Sequence, residues 1–323
     1  MRILSAVLLT FIFMLTNVSA ANLPGPVVSA DWLAKHQKDV LILDIRKDVK
    51  SFTQKPAYTK DKKTGKISLA KVAGHILGAV LVDYKHVRAD RMIDGKKVQK
   101  LIPEKAAFEK FMQSVGLNKD SAAVIVSKGE NNLDVTMATR LYWQLKYFGY
   151  DNMALLNGGM AQWLNDKRKV STAASKPSKG NWVASAERNE ILATSQNVAA
   201  AVKDKSSQLM DTRPVSQYWG TSYKKSYVYA PGHIPGAVNF PNELMTKVGK
   251  PAKFLDKSAY GKLFSAIGVD AGKQTITYCN SGHLASGGWF IMSEVMGNKK
   301  TKLYDGSMHE WTLEKRPVVS MQK

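Results

Sequence analysis

The chain carries one pattern written twice, and that duplication constrains its fold more than any single motif. Asp44-Ile45-Arg46, after the apolar run Val40 to Leu43, returns as Asp211-Thr212-Arg213 after Gln208-Leu209-Met210. Gly74-His75-Ile76-Leu77-Gly78-Ala79-Val80 returns as Gly232-His233-Ile234-Pro235-Gly236-Ala237-Val238. Val115-Gly116-Leu117 returns as Ile267-Gly268-Val269, and Ala123-Val124-Ile125-Val126-Ser127 as Thr275-Ile276-Thr277-Tyr278-Cys279. Asn157-Gly158-Gly159-Met160-Ala161-Gln162-Trp163 returns as Asp305-Gly306-Ser307-Met308-His309-Glu310-Trp311. The spacing between partners shrinks from 167 to 148 residues along the chain, the mark of a duplication with insertions in the first copy. So long a period excludes a solenoid and requires two domains. Within the second copy, helices are predicted over 196–203, 258–267 and 285–296. Strands are predicted over 208–210, 237–240, 275–278 and 301–304. Short apolar strands alternating with helices predict an α/β fold, a parallel-sheet α/β/α sandwich in each domain. The domains are expected over 21–165 and 187–323. Residues 166–186, rich in Lys, Ser and Ala, read as a linker whose Trp182 packs on one domain. The extra residues of the first copy fall mainly in a Lys-rich surface loop, 49–72.

Cys279 is the single cysteine of the 323 residues. The run Gln274 to Tyr278 leads into it, and Asn280-Ser281-Gly282-His283-Leu284-Ala285 follows as a tight loop opening a helix. Ligands of such sheets sit at the carboxyl ends of strands, which is where this thiol falls. Amides at a helix N-terminus stabilise a thiolate and an anion beside it. The amides of Asn280 to Ala285 are expected to form that nest, with Gly282 letting the backbone curl. Ser281 and His283 are candidate additional donors. Two readings are open for His283, a cation beside the thiolate or a solvated ring at the loop rim. The competing reading of Cys279 is a small buried core residue.

The N-terminus reads as a targeting segment. Arg2 gives a short positive region, Ile3 to Leu15 an apolar stretch, and Val18-Ser19-Ala20 a small-residue cleavage site. Cleavage after Ala20 and a periplasmic location are expected, with no membrane span remaining. An internal disulfide is excluded in a chain with one cysteine, which leaves the thiol for pairing with another chain or for chemistry. Net charge is +21, but the lysines are scattered, without a basic block or an aromatic-interleaved motif. Nucleic acid is therefore not an expected partner, and small anions are. The six histidines are dispersed without ligand spacing, so no metal site is expected. No phosphate-binding glycine fingerprint follows a strand.

Asp-x-Arg after a strand, Gly-His-Ile-Pro-Gly-Ala, a strand-Cys-loop-helix and Asp-Gly-Ser/Gly-x-x-x-Trp, in order and in duplicate, resemble the rhodanese family. The tandem arrangement is similar to two-domain sulfurtransferases of the thiosulfate and mercaptopyruvate type. The resemblance implies a non-catalytic first domain, in agreement with Ser127 at the cysteine position. It also implies a ping-pong reaction with Cys279 as nucleophile and Asn280, Ser281, Gly282, His283, Leu284 and Ala285 as the substrate-binding loop. Cys279 would take sulfane sulfur from a small anionic donor, thiosulfate being favoured, and hold it as a persulfide without any other cofactor. It would then pass the sulfur to cyanide, a thiol or a redox protein. A periplasmic sulfur or selenium carrier and a mercaptopyruvate-type enzyme are the alternatives within the resemblance. A phosphatase of the related fold is excluded, because it needs an Arg six residues after the cysteine, where Ala285 stands.

The sequence departs from the family at Asn280 and Leu284, where a basic residue or a loop-closing Thr or Arg is common. It departs again at Gln217, where tandem members often carry an Arg. Charge recognition is therefore expected from Lys224, Lys225 or His75. Asp44/Arg46 and Asp211/Arg213 recur in a domain without cysteine, so they read as structural pairs. His233 reads as a turn residue, Trp163 and Trp311 as core, and Asp305-Gly306 as a plain turn.

Overall fold

The computed structural model describes residues 21–322. The expected targeting segment therefore lies outside the described residues. Two five-stranded sheets, one per copy, have the same order and all-parallel pairing. In the second, the order across the sheet is Leu192–Ala193, Thr301–Tyr304, Thr275–Tyr278, Gln208–Asp211, Val238–Asn239. In the first it is Val27–Val28, Met153–Leu156, Ala123–Val126, Leu41–Arg46, Val80–Asp83. The central strands Ala123–Val126 and Thr275–Tyr278 are buried at every position, as a parallel sheet covered by helices on both faces requires. Each domain is thus the expected α/β sandwich.

Each domain has its own outer core, one around Phe52, Met160 and Trp163, the other around Tyr278, Met308 and Trp311. A third cluster is shared by both, running from Phe108 and Trp143 to Trp289 and Phe290. It is built on two helices, Asn132–Tyr147 and His283–Phe290, each of which follows the cysteine-equivalent loop of its domain. Their approach is close because Ser286-Gly287-Gly288 carries little side chain. A Cβ on Gly287 would lie 2.8 Å from Thr136 Cγ2 and 2.6 Å from Met245 Sδ. Thr139 Oγ1 and Ser286 Oγ share a buried hydrogen bond of 2.8 Å across the seam. The two domains are one packed body, and the loop after Cys279 lies at the seam.

Several expectations need correcting. Residues 57–71 are not an irregular loop but a hairpin, Ala57–Lys60 with Ile67–Lys71. A second hairpin, Ala89–Ile93 with Lys96–Leu101, was not foreseen. The helix expected over 285–296 begins two residues earlier and passes into a π-helical turn over Ile291–Val295. The segment 166–186, by contrast, lies along the first domain as its Trp182 led one to expect: Gly180 N donates to Gln113 O and Trp182 N to Leu117 O. The buried Trp182 ring stands edge-on to Phe108 and Tyr150.

Asp44–Arg46 and Asp211–Arg213 are fully buried ion pairs. Each arginine also donates from Nη2 to the glycine carbonyl of the Gly-His-Ile motif, Gly74 O at 2.6 Å and Gly232 O at 2.8 Å. The two repeated motifs are therefore a strand end and the turn it braces. His75 Nδ1 meets Phe52 O and His233 Nδ1 meets Tyr218 O, each ring stacked on the aromatic residue that supplies the carbonyl. His75 is 3% exposed and does not line the interdomain cavity, so it is not a donor-binding residue.

Candidate active site

The strand Thr275–Tyr278 ends by presenting Cys279 to a cavity of about 720 Å³ between the two domains. Asn280, Ser281, His283 and Leu284 line the same cavity. Gly282 and Ala285 do not: Gly282 is the helix cap, and the Ala285 side chain is in the core. Gly282 has φ +72°, and a Cβ there would fall 2.2 Å from Asp305 Oδ1. Only glycine fits this turn.

The loop is held from outside by the Asp-Gly-Ser-x-x-x-Trp segment. Ser307 Oγ accepts from Cys279 N at 3.0 Å and from Gly282 N at 3.1 Å while donating to Tyr304 O at 2.8 Å. Met308 N and His309 N donate to Cys279 O and Asn280 O. With these bonds fixing the loop's outer side, the amides of Asn280, Ser281, His283, Leu284 and Ala285 have no protein acceptor among the described residues. Five unpaired amides at a helix N-terminus beside a thiol form an anion nest. In the first copy, Met160 N and Ala161 N reproduce the outer bonds to Ser127 O and Lys128 O. Gly159 stands where Ser307 would be, so both the thiol and the hydroxyl brace are missing there.

Asp305 is more than a turn residue. It forms a buried salt bridge with Arg140 of the first domain, whose Nη2 donates to Oδ2 at 3.1 Å. Ile102 N also donates to Asp305 Oδ2 at 2.7 Å. Arg140 Nη1 reaches Gly282 O at 3.3 Å, so the first domain grips the Cys279 loop directly.

Of the two readings the sequence left open for His283, the cation beside the thiolate does not hold: the ring is a half-buried, neutral one at the cavity edge. Its Nε2 is 3.0 Å from Thr136 Oγ1, and its ring rests against Tyr84 at 5.1 Å between centroids. Burial, then the positive charges of Arg88 and Arg140, push its pKa down to about 3, so the ring is neutral at physiological pH. Unfolded, it titrates near the ordinary 6.5. Between those values the unfolded chain binds a proton that the folded chain refuses. Stability should therefore fall on acidification through this window, by up to about 1.4 kcal/mol per pH unit from this residue. His283→Asn should flatten that limb of a plot of urea midpoint against pH; an unchanged limb would refute the assignment.

The cavity's charge comes mainly from the first domain. Lys47, Arg88, Lys100 and Lys128 line it from that side and Lys224 from the other. Lys128 is paired with Glu130 at 2.6 Å. The other four join no salt bridge among the described residues. Lys224 was foreseen; Lys225 and Gln217 do not line the cavity, and Gln217 Oε1 instead accepts from Asn280 Nδ2 at 2.7 Å. Tyr227, also unforeseen, lines the cavity; burial and the negative charge of an ionised Cys279 raise its pKa, keeping its hydroxyl a donor.

A model of the rhodanese-like domain matches this chain twice, over residues 29–166 and 194–314. The chain belongs to the rhodanese family. This rhodanese is 32% identical over 248 residues to a protein of Mycolicibacterium smegmatis provisionally named a thiosulfate sulfurtransferase, covering 74% of this chain and 83% of that one. It is 26% identical over 298 residues to the sulfur carrier protein TtuD of Thermus thermophilus, covering 89% and 94%. Among solved structures it resembles the 3-mercaptopyruvate sulfurtransferase SseA of Escherichia coli, with a TM-score of 0.69 at 26% identity over 88% of this chain and 98% of that one. The rhodanese is an enzyme of the sulfurtransferase type. Among the described residues no helix is long and apolar enough to cross a membrane.

Proposed function

We propose that this rhodanese moves sulfane sulfur from thiosulfate to a thiophilic acceptor through a persulfide on Cys279, in the periplasm after removal of residues 1–20. The Cys279 thiolate attacks the outer sulfur of thiosulfate, the sulfur–sulfur bond breaks, and sulfite leaves with its electron pair. The acceptor then takes the outer sulfur and returns Cys279 to the thiolate. The observation that carries the reading is a single thiol at a central strand end, facing a cavity and followed by a loop with five amides that have no protein acceptor among the described residues. Those amides would stabilise the thiolate before transfer and the terminal persulfide sulfur after it. Tyr227 is a candidate further donor. Similarity to a sulfur carrier favours one second reading, a protein that loads once and waits for a partner.

Thiosulfate-to-cyanide turnover separates the two. Multiple turnovers support the enzyme; a single burst of one sulfur per chain supports the carrier. In the same assay Ser127→Ala should keep activity within about twofold, because the first-domain loop lacks a nucleophile. A tenfold loss would give that domain a part in the chemistry.

A further inference from the structure

The first domain carries a hairpin that its fold does not need. The interval from the Asp-x-Arg arginine to the glycine it braces is 28 residues in the first copy and 19 in the second. The excess falls in the hairpin Ala57–Lys60 with Ile67–Lys71. Tyr58 pairs with Leu69 and Lys60 with Ile67, so these four side chains share one face. Leu69 packs against the outer core of the first domain. Tyr58 and Ile67 beside it are 48% and 67% exposed. They form one bank of an open trough of about 620 Å³, with Leu164 and Val170 on the other bank. Contiguous exposed apolar surface with a polar rim marks a contact with something else.

The rim of this trough is basic. Lys60, Lys62, Lys63 and Lys66 surround the hairpin tip, and Lys167 and Lys169 line the opposite bank. None of the six joins a salt bridge among the described residues. The carboxylates of the same segments are spent locally. Asp61 Oδ1 accepts from the amides of Lys63 and Thr64 at 2.9 and 2.7 Å, and Asp166 Oδ1 from Gln162 Nε2 at 2.6 Å. Arg168 is paired with Asp31 and lies 5.2 Å from the Trp163 ring centroid. The kind of cation left unpaired points to the kind of partner. Protein interfaces enrich Arg, whose planar fork matches a carboxylate, and deplete Lys. All six unpaired cations here are lysines, point charges on flexible stems that lie along apolar surface. Tyr suits the boundary between an apolar and a wet phase. An anionic lipid surface offers that boundary, with phosphate charge that demands no fixed geometry.

We propose that this face of the first domain binds an anionic phospholipid surface. The six lysines meet headgroup phosphates, and Tyr58 and Ile67 enter the boundary with the acyl chains. The trough shares no residue with the Cys279 cavity, and it overlies the outer core of the first domain rather than the cluster at the domain seam. The docked protein therefore keeps its reactive cavity open. The domain without a thiol would thereby hold the enzyme at a membrane. The proposal is independent of the sulfur donor and acceptor.

Sedimentation with sucrose-loaded vesicles tests this, using protein that begins at Ala21 so that the apolar stretch Ile3 to Leu15 cannot account for binding. Vesicles of phosphatidylcholine alone are compared with vesicles in which about one third is phosphatidylglycerol. Wild type should bind the anionic vesicles at least about tenfold more tightly, and salt at about 0.5 M should abolish the difference by screening exposed charges. Lys60→Gln, Lys62→Gln, Lys63→Gln and Lys66→Gln together should lower affinity for the anionic vesicles at least about tenfold, as should Tyr58→Ser with Ile67→Ser. All six of these side chains are exposed, so melting and thiosulfate-to-cyanide turnover should not change. The same charge removed from the second domain, by Lys203→Gln, Lys257→Gln, Lys262→Gln and Lys273→Gln, should cost less than about threefold. Equal binding to the two kinds of vesicle overturns the proposal. An equal loss in the second-domain variant assigns binding to net charge and overturns the role of the hairpin. Failure on vesicles together with capture of soluble poly-glutamate, lost in the hairpin lysine variant, would make the partner an acidic protein and overturn the lipid reading.

Discussion

Cys279→Ser is expected to lower thiosulfate-to-cyanide turnover by more than about 1,000-fold. The substitution is nearly isosteric, and Cys279 is 2% exposed in a well-packed cluster, so the fold should persist. What is lost is the sulfur. A hydroxyl ionises far above physiological pH and forms no sulfur–sulfur bond, and the surrounding amides do not supply a nucleophile of their own. Retention of more than a few per cent of wild-type turnover, in protein whose melting is unchanged, would show that another group carries the chemistry.

Arg140→Met is expected to have the second-largest effect, although Arg140 belongs to the domain without the cysteine. The Arg140–Asp305 pair is buried, with side-chain exposures of 0% and 5%. Removing one partner of such a pair strands a charge, at a cost of about 3–5 kcal/mol. Asp305 would retain only Ile102 N among its direct backbone donors. The loop would also lose the donor on Gly282 O, beside the turn that sets the nest. Urea unfolding should report the stability loss, and kcat should fall by at least about tenfold. Adding Asp305→Leu should restore much of the stability, since an apolar pair can replace a buried ionic one. Activity should stay low, because the grip on Gly282 is still absent. Unchanged kcat in Arg140→Met would mean that the loop holds its shape without the first domain.

The parts of this molecule that were legible in its sequence are those governed by local pattern. The strands 275–278 and 301–304 were legible to the residue because each is a short run rich in Thr, Ile, Leu and Tyr that ends at a turn or loop. The Asp-x-Arg pairs were legible as structure because they repeat where there is no thiol. The hairpin at 57–71 was not: four of its five residues over Ile67–Lys71 and all of Ala57–Lys60 are exposed, so it carries no alternation of buried and exposed positions. The helix start at His283 was placed two residues late because Asn280 to Ala285 was read as one loop. The small residues Ser286-Gly287-Gly288 inside the helix serve its close contact with Thr136.

The site divides in the same way. Cys279 and its loop could be read directly, but the residues that shape the loop come from distant chain segments. Arg140, Ile102 and Tyr227 carry no local signal of their roles. Ser307 did carry one: aligning the two copies sets it against Gly159, the same kind of asymmetry as Cys279 against Ser127. His283 stayed open between two readings because its environment is made by Tyr84 and Thr136 of the other domain, whose approach the sequence alone does not give.

The central claim is that Cys279 accepts one sulfur from thiosulfate. Its most direct test is an intact mass of purified protein incubated with thiosulfate and no acceptor. The account predicts a gain of one sulfur atom on wild type, reversed by cyanide and absent from Cys279→Ser. An unchanged wild-type mass, or an equal gain on Cys279→Ser, would contradict it.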